Sequence, residues 1–122
     1  MANVLIIDDQ EDVALAVSLD LESHGYSSDV VNSGQKGLAI YQEKRHDLVI
    51  TDIFMPEMEG TKVIEELFAI NENVKILAIS GGGKETLEWT RLRAQARGAI
   101  DFLIKPIKRE TLIQHVDDIF KK

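Results

Sequence analysis

Five polar side chains follow directly on short apolar runs: Asp8 and Asp9 after "VLII", Asp52 after "LVIT", Ser80 after "KILAI" and Lys105 after "DFLI". Carboxylates crowded at the edge of a core are unfavourable alone, because each like charge disfavours ionisation of its neighbour. Brought together, Asp8, Asp9 and Asp52 form an oxygen-rich site for a hard divalent cation such as Mg²⁺, which relieves the repulsion. The compact ammonium of Lys105 pairs with one carboxylate at rest or with a phosphoryl oxygen later, and the Ser80 hydroxyl can donate to the same oxygen. A carboxylate nucleophile beside Mg²⁺, a lysine and a hydroxyl is a layout for in-line phosphoryl transfer, where positioning and charge stabilisation do most of the catalysis.

Each residue also has a plainer reading. Asp8 and Asp9 before "EDVALAV" suit a helix amino end, Asp52 a strand-end turn, Ser80 the start of a glycine turn, and Lys105 a solvated surface. The chemical reading gains weight from the elements that must carry them. Five Val-, Ile- and Leu-rich runs recur, "VLII" at 4 to 7, "SSDVV" at 27 to 31, "LVIT" at 48 to 51, "KILAI" at 75 to 79 and "DFLI" at 101 to 104. Most are continuously apolar, as strands covered on both faces are.

Between them lie stretches with helical spacing, such as Val13, Val17 and Leu21, then Val63, Ile64, Leu67 and Phe68. The last stretch, "KRETLIQHVDDIFKK", repeats the pattern with Leu112, Ile113, Val116, Ile119 and Phe120 and closes on lysines that suit a helix carboxyl end. Gly25, Gly60 and Gly98 fall where helices should begin or stop. Such alternation predicts an α/β fold, a parallel sheet with helices on both faces joined by right-handed crossovers. In a sheet of that kind functional groups gather at the carboxyl ends of the strands, near the point where strand order reverses, which places all five polar residues on one rim.

Composition narrows the function. At 122 residues and 44% hydrophobic, with no Pro- or Ser-rich stretch, residues 1–122 are expected to form one domain around a real core. Fourteen basic residues against 21 acidic ones give a net charge of −7, which repels nucleic acid and anionic lipid and argues against direct DNA binding. There is no cysteine, so disulfides and thiolate zinc sites are excluded. No apolar run approaches the roughly 20 residues that span a bilayer, and "MANVLIIDDQ" is unlike an export signal, so a soluble, cytoplasmic protein without membrane contact is expected.

The segments "LIIDDQ", "HDLVITDIFMPEMEG", "ILAISG" and "GAIDFLIKP" stand in order at the ends of the first, third, fourth and fifth strands. Jointly they resemble the receiver domain of two-component response regulators, of the stand-alone, chemotaxis-receiver kind, over essentially the whole chain. The resemblance implies a doubly wound, flavodoxin-like five-stranded sheet of order 2-1-3-4-5 with five helices. It implies Asp52 as phosphoacceptor, Asp9 as a direct Mg²⁺ ligand, Asp8 as a ligand largely through water, and Phe54 as donor of a backbone carbonyl to the metal. Ser80 and Lys105 would hold the phosphoryl oxygens, with Lys105-Pro106 in cis, and Phe102 would be the aromatic switch residue, turning from an outward to an inward rotamer.

Two features depart from that pattern: Phe54 is bulkier than expected two places after the acceptor, and the stretch from Ser80 to Lys105 is somewhat longer. "SGGGK" lacks the spacing of a phosphate-binding loop, and reads instead as a backbone free to move with Ser80. His24, His46 and His115 do not cluster in sequence and read as solvated. Trp89 falls in the expected fourth helix, as packing or as part of a partner surface.

The expected function is a signalling switch that takes a phosphoryl group from a sensor histidine kinase or histidine phosphotransfer protein. It would then alter binding of a downstream protein through the face made by the fourth helix, fifth strand and fifth helix. It would reset by its own hydrolysis and turn over no external substrate, so it is not an enzyme in the ordinary sense. Two other classes compete, a small Mg²⁺-dependent phosphohydrolase with an aspartyl-phosphate intermediate and a receiver that only binds partners without phosphorylation. The first would need a substrate pocket; the second would be expected to lack some of the polar residues that are all present here.

Overall fold

A computed structural model describes residues 2–55, 58, 60–81 and 98–121, with the backbone alone at 60 and 61. In chain order the elements are β1 (Asn3–Ile7), α1 (Glu11–Ser23), β2 (Ser27–Val31), α2 (Gly34–Lys44), β3 (Leu48–Asp52), α3 (Gly60–Ile70), β4 (Ile76–Ser80), β5 (Asp101–Ile104) and α4 (Arg109–Lys121). The strands form one parallel sheet of order β2-β1-β3-β4-β5. Among the described residues there are four helices. The expected helix between β4 and β5, with Trp89 and with Gly82 and Gly83 of the glycine loop, lies outside them, so the expected fifth helix is α4 here.

Alternation along each strand divides the core in two. Leu5, Ile7, Val49, Ile76, Ala78 and Phe102 point to one face and meet Tyr41 of α2 and Val63, Ile64 and Leu67 of α3. Val4, Ile6, Leu48, Ile50, Leu77, Ile79 and Leu103 point to the other and meet α1 and α4 through Ala14, Val17, Leu21, Leu112, Ile113, Val116 and Ile119. Strand side chains alternate with period two while helix side chains return every three to four residues, so both patterns converge on the same two layers. β3 and β4 are buried at every position, whereas edge strand β2 leaves Val30 42% exposed.

Register places the site. Ile7 aligns with Val31 on one side and Thr51 on the other, Asp52 aligns with Ile79, and Ser80 with Ile104. Asp8, Asp52, Ser80 and Lys105 therefore reach the same rim in neighbouring strands. Strand order reverses between β1 and β3, and Asp8 and Asp52 flank that gap.

Gly98, ahead of β5, has φ +118°, and a Cβ there would lie 2.3 Å from Phe68 Cε2. Only glycine serves at such a place, where the backbone is left-handed and an aromatic ring presses on it. Among the described residues no helix is long and apolar enough to cross a membrane.

Candidate functional site

At the end of β1 the Asp8 N–H donates to Val31 O at 3.2 Å, which carries the chain one residue past the strand with Asp8 fully buried. Asp9 turns out to solvent. Gln10 is the N-cap residue of α1, and its N–H donates to Asp8 Oδ1 at 2.9 Å, which fixes one oxygen of that carboxylate. The other oxygen, Asp8 Oδ2, is buried and makes no hydrogen bond. The Lys105 ammonium lies 3.0 Å from it, off the axis of a directed bond, so the contact is one of charge.

Asp52 closes β3 at 3% exposure. Its Oδ1 accepts the Phe54 N–H at 3.4 Å, and its Oδ2 accepts from Lys105 Nζ at 3.4 Å. Burial pushes the Asp52 carboxyl up to about 6, the nearby Asp8 charge pushes the same way, and Lys105 with the Phe54 N–H pulls against them. A carboxylate that is hard to ionise benefits most from a cation beside it.

Lys105 reaches the cluster from just past β5. Its N–H donates to Ser80 O at 2.9 Å, and a Cβ on Gly81 would meet its Cδ at 3.2 Å, so the stem runs close over the Gly81 backbone. Its Nζ also donates to Gln10 Oε1 at 2.5 Å. The Lys105-Pro106 bond is cis. Ser80 ends β4, fully buried on the same rim.

One carboxylate oxygen each from Asp8, Asp9 and Asp52 lie within 4.8 Å of one another. Three carboxylates, one with a buried oxygen that makes no hydrogen bond, are an all-oxygen donor set compatible with Mg²⁺. A cleft of about 400 Å³ opens beside Asp9, lined by Asn32, Ser33, Lys36, Met55 and Met58.

Asp8, Asp9, Asp52, Ser80 and Lys105 thus stand together as the sequence predicts. Phe54 is 44% exposed and meets the cluster through its N–H. Phe102 departs from expectation. It is only 8% exposed and packs into the core cluster of α2 and α3, so the outward resting rotamer is not found. A ring flanked by Ala78 on the neighbouring strand has apolar neighbours to bury it, and that outweighs exposure at the sheet edge.

Of the histidines one differs from expectation, while His24 stays exposed. His46 is buried rather than solvated, its Nε2 2.8 Å from Asp29 Oδ2 and its ring stacked on Tyr41. Asp29 is held below the usual carboxylate range first by its hydrogen bond from Lys44, with His46 adding to this and burial opposing it. His115 Nδ1 lies 2.5 Å from Asp101 Oδ2, and His24 Nε2 3.4 Å from Asp117 Oδ2. Sequence reasoning missed Gln10. Its one signal is a glutamine at a helix N-cap, a position that favours shorter polar side chains.

The family described as "Response regulator receiver domain" matches residues 4–117. The chain is 31% identical to the chemotaxis protein CheY of Treponema pallidum, covering 97% of this chain and 82% of that one. It is 29% identical to the transcriptional regulatory protein GlrR of Escherichia coli, covering 99% of this chain but only 27% of that longer protein. The chemotaxis response regulator CheY4 of Vibrio cholerae superposes with a TM-score of 0.88 at 29% identity, covering 98% of both chains. With the fold, the rim of carboxylates and these likenesses agreeing, the chain belongs to the response regulator receiver domain family of two-component signalling.

Proposed function

We propose that this chain is a phosphorylation-controlled switch in which Asp52 is the phosphoacceptor. The observation that carries the reading is Asp52 itself, a buried carboxylate at the sheet's switch point, 3.4 Å from a lysine and inside a cluster of three acids. An Asp52 oxygen attacks the phosphorus of a partner phosphohistidine. A P–O bond forms, the P–N bond breaks, and the leaving imidazole keeps the electron pair and takes up a proton. Asp8, Asp9 and Asp52, with the Phe54 carbonyl, would hold Mg²⁺, which supplies charge neutralisation between the acids and the incoming phosphoryl oxygens.

This chain's own groups do the rest. Lys105 leaves the carboxylates to pair with a phosphoryl oxygen, and Ser80, a short step away on β4, turns its hydroxyl to another. Hydrolysis of the acyl phosphate resets the site, and no external substrate is turned over. Donors are a sensor histidine kinase or a histidine phosphotransfer protein; the net charge of −7 supports a protein target rather than nucleic acid, in the cytoplasm.

The response is read on the face that includes β5 and α4, where Ile104 is 47% exposed. Because Phe102 starts buried, the rearrangement there is a repacking of an inward ring around Ser80 and Lys105. Amide exchange with and without a beryllofluoride phosphoryl mimic tests this. Altered protection from Ser80 through β5 into α4 is expected. Change confined to the neighbours of Asp52, with 98–121 unaltered, would contradict it.

A further inference from the structure

Gln10 occupies the N-cap of α1, yet its side chain makes no capping hydrogen bond. Its amide oxygen instead accepts from Lys105 Nζ at 2.5 Å, across 95 residues of sequence. The same ammonium lies 3.0 Å from Asp8 Oδ2 and 3.4 Å from Asp52 Oδ2. Two hydrogen-bond acceptors, Gln10 Oε1 and Asp52 Oδ2, and the Asp8 charge thus surround the ammonium, and only 10% of the lysine side chain is exposed.

Both carboxylates that face Lys105, those of Asp8 and Asp52, belong to the candidate metal cluster. A cation that enters the cluster and draws on Asp8 Oδ2 and Asp52 Oδ2 meets an internal cation already seated there. We propose that Gln10 is a positioning residue that holds the Lys105 ammonium against Asp8 and Asp52, so that a divalent cation must displace a lysine anchored on three sides. The neutral amide adds a hydrogen bond to a charged donor without adding a ligand charge to the site. Gln10 thereby sets how readily the resting site is loaded, a regulation that rests on the reading of this rim as the Mg²⁺-dependent phosphoacceptor site.

The inference is tested on the whole chain with Mg²⁺ alone as ligand, in wild type, Gln10→Met, Lys105→Met and the double variant. Methionine keeps the length of the side chain and removes the acceptor. Loss of one bond to a charged donor is expected to tighten Mg²⁺ on the order of ten- to a hundredfold in Gln10→Met. The same substitution in the Lys105→Met background should change nothing, because its effect passes through the lysine. Gln10→Ser, which gives α1 a capping hydroxyl, guards against misfolding and should show the same gain.

A second reading needs no metal: exchange of the Lys105 ammonium protons with water, followed by NMR, should be slow in wild type and faster in Gln10→Met. Equal Mg²⁺ affinity in wild type and Gln10→Met would overturn the proposal, as would an equal change in both lysine backgrounds or a wild-type chain without Mg²⁺ affinity. Phosphorylation of Asp52 by acetyl phosphate, measured separately, decides the function itself. Normal labelling with no effect of Gln10→Met would sink this inference and leave that reading standing.

Discussion

Asp52 bears in its own ionisation the cost of being buried beside Asp8. Its folded-state carboxyl is raised to about 6, above its value in the unfolded chain. The folded chain therefore holds the proton more tightly, so this group favours folding below about pH 4 and loses that contribution as pH rises through about 6. In metal-free buffer Asp52→Asn should be more stable than wild type near neutral pH, on the order of 1–3 kcal/mol. The gain should vanish below about pH 4, which urea unfolding at the two pH values would reveal. At Gly98 a side chain meets both a φ of +118° and the Phe68 ring. Gly98→Ala should cost about 1–3 kcal/mol or more, read as a lower urea midpoint.

The acidic residues were legible in the sequence because two like charges ending an apolar run have few structural uses. Lys105 was legible because proline follows it at the end of another such run. Gln10 was not, since a neutral glutamine after two acids looks like surface, and its role depends on a lysine 95 residues away. His46 was misread for the same reason. Its burial is decided by Asp29 and Tyr41, which the local string "KRHDL" does not mention.

The elements tell how far periodicity carries. β2 and β5 coincide with the apolar runs residue for residue, while β1 gains Asn3, β3 gains Asp52, and β4 starts at Ile76 and gains Ser80. The differences come from hydrogen bonding to neighbours: Asn3 pairs with Ser27, Asp52 with Ile79 and Ser80 with Ile104. Helices α1, α3 and α4 follow their apolar spacing. α2 is less marked, because its buried face is made of Gly34, Gly37 and Tyr41, and a Cβ at Gly37 would stand 2.4 Å from Ile7 Cδ1. In α3, Leu67 is fully buried among the strands. Leu67→Ala should cost about 2–5 kcal/mol, measured by chemical unfolding, with a smaller loss indicating that the core closes over the gap.

For the whole molecule, Mg²⁺ held by the acidic cluster as proposed would tie metal binding to stability, because only the folded chain brings Asp8, Asp9 and Asp52 together. Mg²⁺ at ten times its Kd should add about 1.4 kcal/mol, a rise of several degrees in Tm for a chain of this size. Asp9→Asn should reduce that rise while leaving the metal-free Tm near wild type, since Asp9 is exposed. The central claim is that Asp52 accepts a phosphoryl group, and intact-mass analysis after incubation with acetyl phosphate and Mg²⁺ tests it most directly. The account predicts one added phosphoryl group on wild type, lost when Mg²⁺ is chelated and absent from Asp52→Asn. An Asp52→Asn chain labelled to the same extent as wild type would contradict it.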